Sequence, residues 1–227
     1  MMFYCRFLFC VWIVLCLELL FYVRCQDMPP LPEFRVVPRR RPPPCDLEDL
    51  YAKCTLVANP NIPSDINGTI YFMQKVMRSN CEYGFMSIQV KVHNVPTNDE
   101  TDNHGFHIHE YGDMLGGCES MGGHYNPYNA THGSLWHPVG KRHLGDLGNV
   151  RQRPNGDINM RIRDFYTVLF GKDTIIGRGV VLHAQEDDLG MNEDKGSKTT
   201  GNAGPRLACG VIGHSGKFDE KVFTLYK

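Results

Sequence analysis

Beyond residues 1–25 the chain has no long apolar run, so no later segment is apolar enough to cross a bilayer. Almost no stretch carries a helical period of useful length and no segment repeats another, which turns the reading away from helical and repeat architectures. An excess of charge is missing too. The 24 Lys and Arg balance 25 Asp and Glu, for a formal net charge of −1. Six of the basic and three of the acidic residues precede Cys45, so the remainder is acidic on balance and nucleic-acid binding has no support. An anionic ligand would have to be drawn in by a local field rather than by net charge.

What is present instead is alternation. Met86, Ile88, Val90 and Val92 alternate with Ser87, Gln89 and Lys91, the pattern of a strand with one buried face. Around Asn155-Gly156 a hairpin turn is followed by Ile158, Met160 and Ile162 at the same period. The expectation is an all-β fold, an antiparallel sandwich or barrel. Two long loops, from about Gly112 to Gly148 and from His183 to Arg206, are left to carry function.

Six histidines and one aspartate between Phe106 and His183 carry the chemistry. In GFHIHEYGD, His107 and His109 stand two apart, so on a strand both imidazoles face one side and can reach one ion. His124, His132, His143, Asp146 and His183 follow, enough ligand for two metals, one set all imidazole and one containing a carboxylate. Imidazoles around one ion suit copper(II) in a tetragonal geometry, and three nitrogens with one oxygen suit tetrahedral zinc; spacing alone assigns neither ion. Isolated histidines such as His93, His137 and His214 read as surface or satisfied core residues.

The blocks GFHIHEYGD, GCESMGGHYNP, RHLGDLGNV, TIIGRGVVLHAQEDDLG and TGNAGPRLACGVIG resemble the successive blocks of copper/zinc superoxide dismutases, in order and near-family spacing. The resemblance runs from about Tyr51 to Gly213, weak over the first two strands and strong from His104 onward. It implies an eight-stranded antiparallel Greek-key barrel or sandwich. It also implies copper on His107, His109, His124 and His183, and zinc on His124, His132, His143 and Asp146, with His124 shared as a bridge. Asp187 would link His107 to His132, Arg206 would receive the anion beside copper, and Cys118 with Cys209 would form a disulfide tying loop to barrel. The implied activity converts superoxide to dioxygen and hydrogen peroxide by alternate reduction and oxidation of copper, with His124 and Arg206 catalytic and zinc orienting His124.

The chain departs from the family's pattern in places. Ten residues, GSLWHPVGKR, separate His132 from His143, longer than the common family spacing, so the zinc loop is expected to be reshaped. His137 within it is a competing ligand or an exposed loop residue. Lys195 and Lys198 stand away from the family's usual places in the loop that guides substrate. Met114 and Leu115 replace small polar residues, and His214 replaces an apolar one near the usual dimer contact; a homodimer is the expectation all the same.

The expected organisation is a signal peptide or signal anchor at 1–25, a Pro/Arg-rich linker at 26–44, a dismutase-like domain at 45–213 and a C-terminal extension at 214–227. The apolar run from Phe7 to Leu17 is short for a spanning helix, and Val23 with Cys25 offers a cleavage site. Secretion is therefore the expectation and an uncleaved membrane anchor the alternative. Arg39, Arg40 and Arg41 read as a solvated charge cluster, or as a site for an acidic polysaccharide, a membrane surface or processing. Of nine cysteines, Cys5, Cys10, Cys16 and Cys25 fall in the signal, leaving Cys45, Cys54, Cys81, Cys118 and Cys209. Cys45 with Cys81 is the expected second pair, because Cys54 on the first strand should point into the barrel. Sequons at Asn67 and Asn129 agree with a secretory route. Against the enzyme stand two other functions: a secreted copper/zinc carrier or buffer with little turnover, and a membrane-tethered module whose metals serve stability.

Overall fold

The computed structural model describes residues 45–97 and 101–223. The expected signal segment and the linker with Arg39, Arg40 and Arg41 lie outside the described residues, as does the last part of the C-terminal extension. Among the described residues, no helix is long and apolar enough to cross a membrane.

Eight strands form one antiparallel sheet: β1 (Leu50–Ala58), β2 (Asn67–Met77), β3 (Glu82–His93), β4 (Asn103–His109), β5 (Asp146–Arg151), β6 (Ile158–Asp164), β7 (Gly179–His183) and β8 (Arg206–His214). Their spatial order is β5-β4-β7-β8-β1-β2-β3-β6. The two ends of that order meet through the Gln152–Ile158 bridge beside the Asn155-Gly156 turn, so the barrel is nearly closed. β7 returns over a long connection to lie beside β4, which gives the Greek-key order β7-β4-β5-β6.

The period-two pattern explains the core. Ala52, Cys54 and Leu56 of β1, Ile70 and Phe72 of β2, and Met86, Ile88, Val90 and Val92 of β3 pack together with Phe106 and Ile108 of β4. Ser87 and Gln89, expected to face water, are buried as well. Arg161 reaches Ser87 from the outer face and lies over the Phe223 ring, while the Gln89 amide donates to Asn159 and to the Met160 carbonyl. The extension past His214 supplies the outer cover. Phe218 packs edge-on against Tyr51 and Tyr71, Phe223 joins them, and Lys75 pairs with Glu220.

Cys118 is bonded to Cys209 and Cys45 to Cys81, while Cys54 is a free thiol in the core, its pKa pushed up to about 12 by burial. The Cys118–Cys209 bond ties the β4–β5 loop to β8 across a sequence separation of 91. Closing a loop of that length restricts the unfolded chain by about 4–5 kcal/mol in the chain-entropy model. Changing both cysteines to serine is therefore expected to lower unfolding free energy by about that amount. Urea titration of the two proteins checks this, and equal midpoints would show that the bond adds nothing to stability.

Candidate metal centre

Strand parity places the site. Phe106 and Ile108 enter the core, so His107 and His109 face the outer side of the barrel wall, where overlying loops bury both. β7 ends on His183, the β4–β5 loop contributes His124, His132 and His143, and β5 opens on Asp146. Donor atoms of His107, His109, His124 and His183 all lie within 4.8 Å of one another, as do those of His124, His132, His143 and Asp146. His124 belongs to both groups.

Each ring is turned by the bond that its other nitrogen makes. His109 Nδ1 donates to the Gly122 carbonyl and His183 Nδ1 to the Gly204 carbonyl, each at 3.0 Å, which brings the two Nε2 atoms to 3.4 Å. His107 Nε2 meets Asp187 Oδ2 at 2.9 Å and His132 Nε2 meets Asp187 Oδ1 at 2.7 Å. That leaves His107 Nδ1 and His124 Nε2 buried with no hydrogen-bond partner. On the carboxylate side, Nδ1 atoms of His124, His132 and His143 converge on Asp146 Oδ1 at 2.9, 3.0 and 3.1 Å. Unpartnered buried nitrogens cost about 1–3 kcal/mol each. Bound cations would remove that cost, and the donors fit a nitrogen-only site beside one with three nitrogens and a carboxylate.

Protonation of the all-imidazole group suits the same purpose. Burial, then His124 and His183, lowers the His107 and His109 pKa values well below the usual imidazole range, and burial takes His183 down to about 3. Neutral imidazole is the form that binds metal. Burial pushes the Asp146 carboxyl upward, but bonds from His124, His132 and His143 override it and hold the group well below the carboxylate range.

A family model described as copper/zinc superoxide dismutase (SODC) matches residues 66–212. The chain belongs to the copper/zinc superoxide dismutase family. An extracellular Cu-Zn superoxide dismutase of Drosophila melanogaster is 56% identical over 110 residues, which cover 48% of this chain and 60% of that protein. The match thus spans less than two thirds of the curated relative's length. For a copper/zinc superoxide dismutase the two cofactors are copper and zinc, and the two donor groups agree with them in number and chemistry.

In this chain the loop between β7 and β8 is shaped to deliver Asp187. Asn149 on β5 accepts from the Asp187 amide at 2.7 Å and donates to its carbonyl at 2.8 Å. A short helix, α1 (Lys195–Thr200), is capped by Asp194 accepting from the Ser197 amide, and it ends at Gly201 with φ 66°. A Cβ on Gly201 would run into Asp187 Oδ1 and stand 2.5 Å from His132 Nε2, so the position admits glycine alone.

Arg206 opens β8 with its guanidinium donating to the Cys118 and Gly122 carbonyls, both at 2.7 Å. The Gly122 carbonyl also accepts from His109 Nδ1, and that shared acceptor sets the Arg206 charge beside the all-imidazole group. Lys198, by contrast, is engaged by the Gly190 carbonyl at 2.9 Å.

His137 falls in neither group: it is exposed, and its Nδ1 accepts from the Ser134 amide. The β4–β5 loop ends at Gly145 rather than near Gly148, because β5 already begins at Asp146. His104 was not singled out in the sequence. Its Nδ1 meets the His183 carbonyl at 2.9 Å and its Nε2 meets Gln152 Oε1 at 2.7 Å, which fixes the strand end that carries His183. The available signal was its parity with Phe106 and Ile108, which puts a polar ring in line with apolar core residues.

Proposed function

We propose that the protein is a secreted superoxide dismutase, converting two superoxide anions and two protons to dioxygen and hydrogen peroxide. The observation that carries this reading is His124, one buried ring counted in both donor groups. In this assignment His107, His109, His124 and His183 hold copper, and His124, His132, His143 and Asp146 hold zinc. Copper, when bound, supplies the one-electron couple that takes an electron from one superoxide and returns it to another, while zinc supplies fixed charge without redox chemistry.

The chain's own residues do the rest. Peroxide formation consumes protons, and His124 Nε2, buried and without a protein partner, is the atom placed to hold one. Asp187 keeps His107 and His132 in the tautomers that direct Nδ1 toward the ions. Arg206, held by two carbonyls, receives the anion, and a fixed charge in a narrow mouth raises the encounter rate. Arg206→Ala is accordingly expected to slow turnover at low salt by at least about tenfold and to flatten its salt dependence. Pulse radiolysis across a salt series reads both quantities, and a wild-type rate and slope would contradict the role.

Superoxide decay in metal-loaded protein tests the proposal as a whole. Catalysis that scales with bound copper supports it; copper binding with decay at the spontaneous pace makes the protein a carrier or buffer instead.

Secretion is supported by two disulfides among the described residues, by exposed sequon asparagines at Asn67 and Asn129, and by the apolar N-terminal run. The proposal keeps a signal segment at 1–25, a linker at 26–44, the dismutase domain at 45–213 and the extension at 214–227. It extends to a homodimer, and to an acidic polysaccharide met by Arg39, Arg40 and Arg41, whose clustered charge supports that partner.

A further inference from the structure

Asn59, the first residue after β1, is wholly buried although polar, and every polar atom of its side chain is engaged. Its Nδ2 donates to the Arg206 carbonyl at 2.7 Å and to Glu119 Oε1 at 3.0 Å, and its Oδ1 accepts from the Asn61 amide at 3.2 Å. Asn61 Nδ2 in turn donates to Glu119 Oε2 at 3.0 Å, and more weakly to the Gly116 carbonyl at 3.4 Å. One carboxylate thus receives an amide on each oxygen, across sequence separations of 60 and 58.

Glu119 lies in the 3-10 turn Gly117–Met121, between Cys118 and Gly122, whose carbonyls grip the Arg206 guanidinium. The turn packs closely on the two asparagines. Gly117 has φ 77°, and a Cβ there would stand 2.8 Å from Asn59 Oδ1 and 2.9 Å from Asn61 Nδ2. The disulfide holds this loop at Cys118 alone. Asn59 meanwhile grips the backbone of Arg206 itself, so one side chain connects both partners whose relative placement decides where the guanidinium points.

We propose that Asn59, Asn61 and Glu119 form a clamp that positions Arg206 for anion capture, the two asparagines fixing the loop through Glu119 and Asn59 fixing the start of β8. The clamp acts through Arg206 and so rests on the dismutase reading for its consequence, but the mechanical part stands without it.

The test uses the full-length, copper- and zinc-loaded protein with two variants, Asn61→Ala, which keeps the Glu119 charge, and Glu119→Ala, which removes it. Both asparagine–glutamate bonds are hydrogen bonds to a charged group, and losing one raises local opening by about tenfold. Amide hydrogen exchange over residues 116–122 should therefore quicken by about that factor in Asn61→Ala, which loses one such bond, and by more in Glu119→Ala, which loses both. Azide serves as the anion probe, its affinity read by optical titration. A positioning clamp predicts weaker azide binding in both variants, with the larger loss in Glu119→Ala despite the more positive mouth.

Unchanged exchange in Glu119→Ala overturns the clamp. Tighter azide binding in Glu119→Ala together with wild-type affinity in Asn61→Ala also overturns it, because that pattern belongs to a carboxylate acting through charge alone. Absence of superoxide turnover in the wild type defeats the dismutase reading, and the exchange and azide measurements still decide the clamp.

Discussion

His183→Ala is expected to cut superoxide turnover by at least about a hundredfold while zinc and the barrel stay in place, since even loss of an outer partner of a metal ligand costs about 10–100-fold. His183 closes β7, and its Nε2 stands 3.4 Å from His109 Nε2 within the all-imidazole group. Its other nitrogen is engaged by the Gly204 carbonyl, and it takes no part in the group built on Asp146. Truncation therefore removes a quarter of one donor set and none of the other. Metal analysis, turnover and circular dichroism of the variant check the three parts, and a wild-type rate would show that the copper assignment is wrong.

Asp187→Ala should have the opposite distribution, weakening both ions at once. Asp187 is wholly enclosed and gives one oxygen to His107, in the first group, and one to His132, in the second. It also accepts from the Leu189 amide, so the loop that presents it loses an anchor with the carboxylate. Removal frees both rings to turn and change tautomer, which is expected to lower each metal affinity by about 10–100-fold. Competition with chelators for copper and for zinc measures the two losses separately. A loss confined to one ion would mean that Asp187 serves a single site.

Of the ligand groups, only the pairing of His107 with His109 was legible from backbone geometry, and the division into two sets came from the family resemblance. His107 and His109 share a face by strand parity, and His183 and Asp146 sit at strand ends, where sequence reading expects loops to begin. The barrel was legible for the same reason, since residues such as Ile88 and Ile162 recur at period two in strands that pair directly. The clamp was not. Asn59 and Glu119 stand on loops with no period, and the bonds joining them span 60 residues, so nothing local marks either one. The burial of Ser87 was also hidden, because it depends on Arg161 and Phe223, and a segment past the last strand carries no pattern that says where it will lie. α1 is too short to show a helical period, although Asp194 and Gly201 punctuate its ends.

The central claim is that a single imidazole serves two different ions. Crystals of the oxidised, fully loaded protein, with anomalous difference maps recorded at the copper and zinc edges, test it most directly. The account predicts a copper peak among His107, His109, His124 and His183, a zinc peak among His124, His132, His143 and Asp146, and the His124 ring between them with one nitrogen on each. Peaks of one metal only, or a His124 ring touching a single ion, would contradict it.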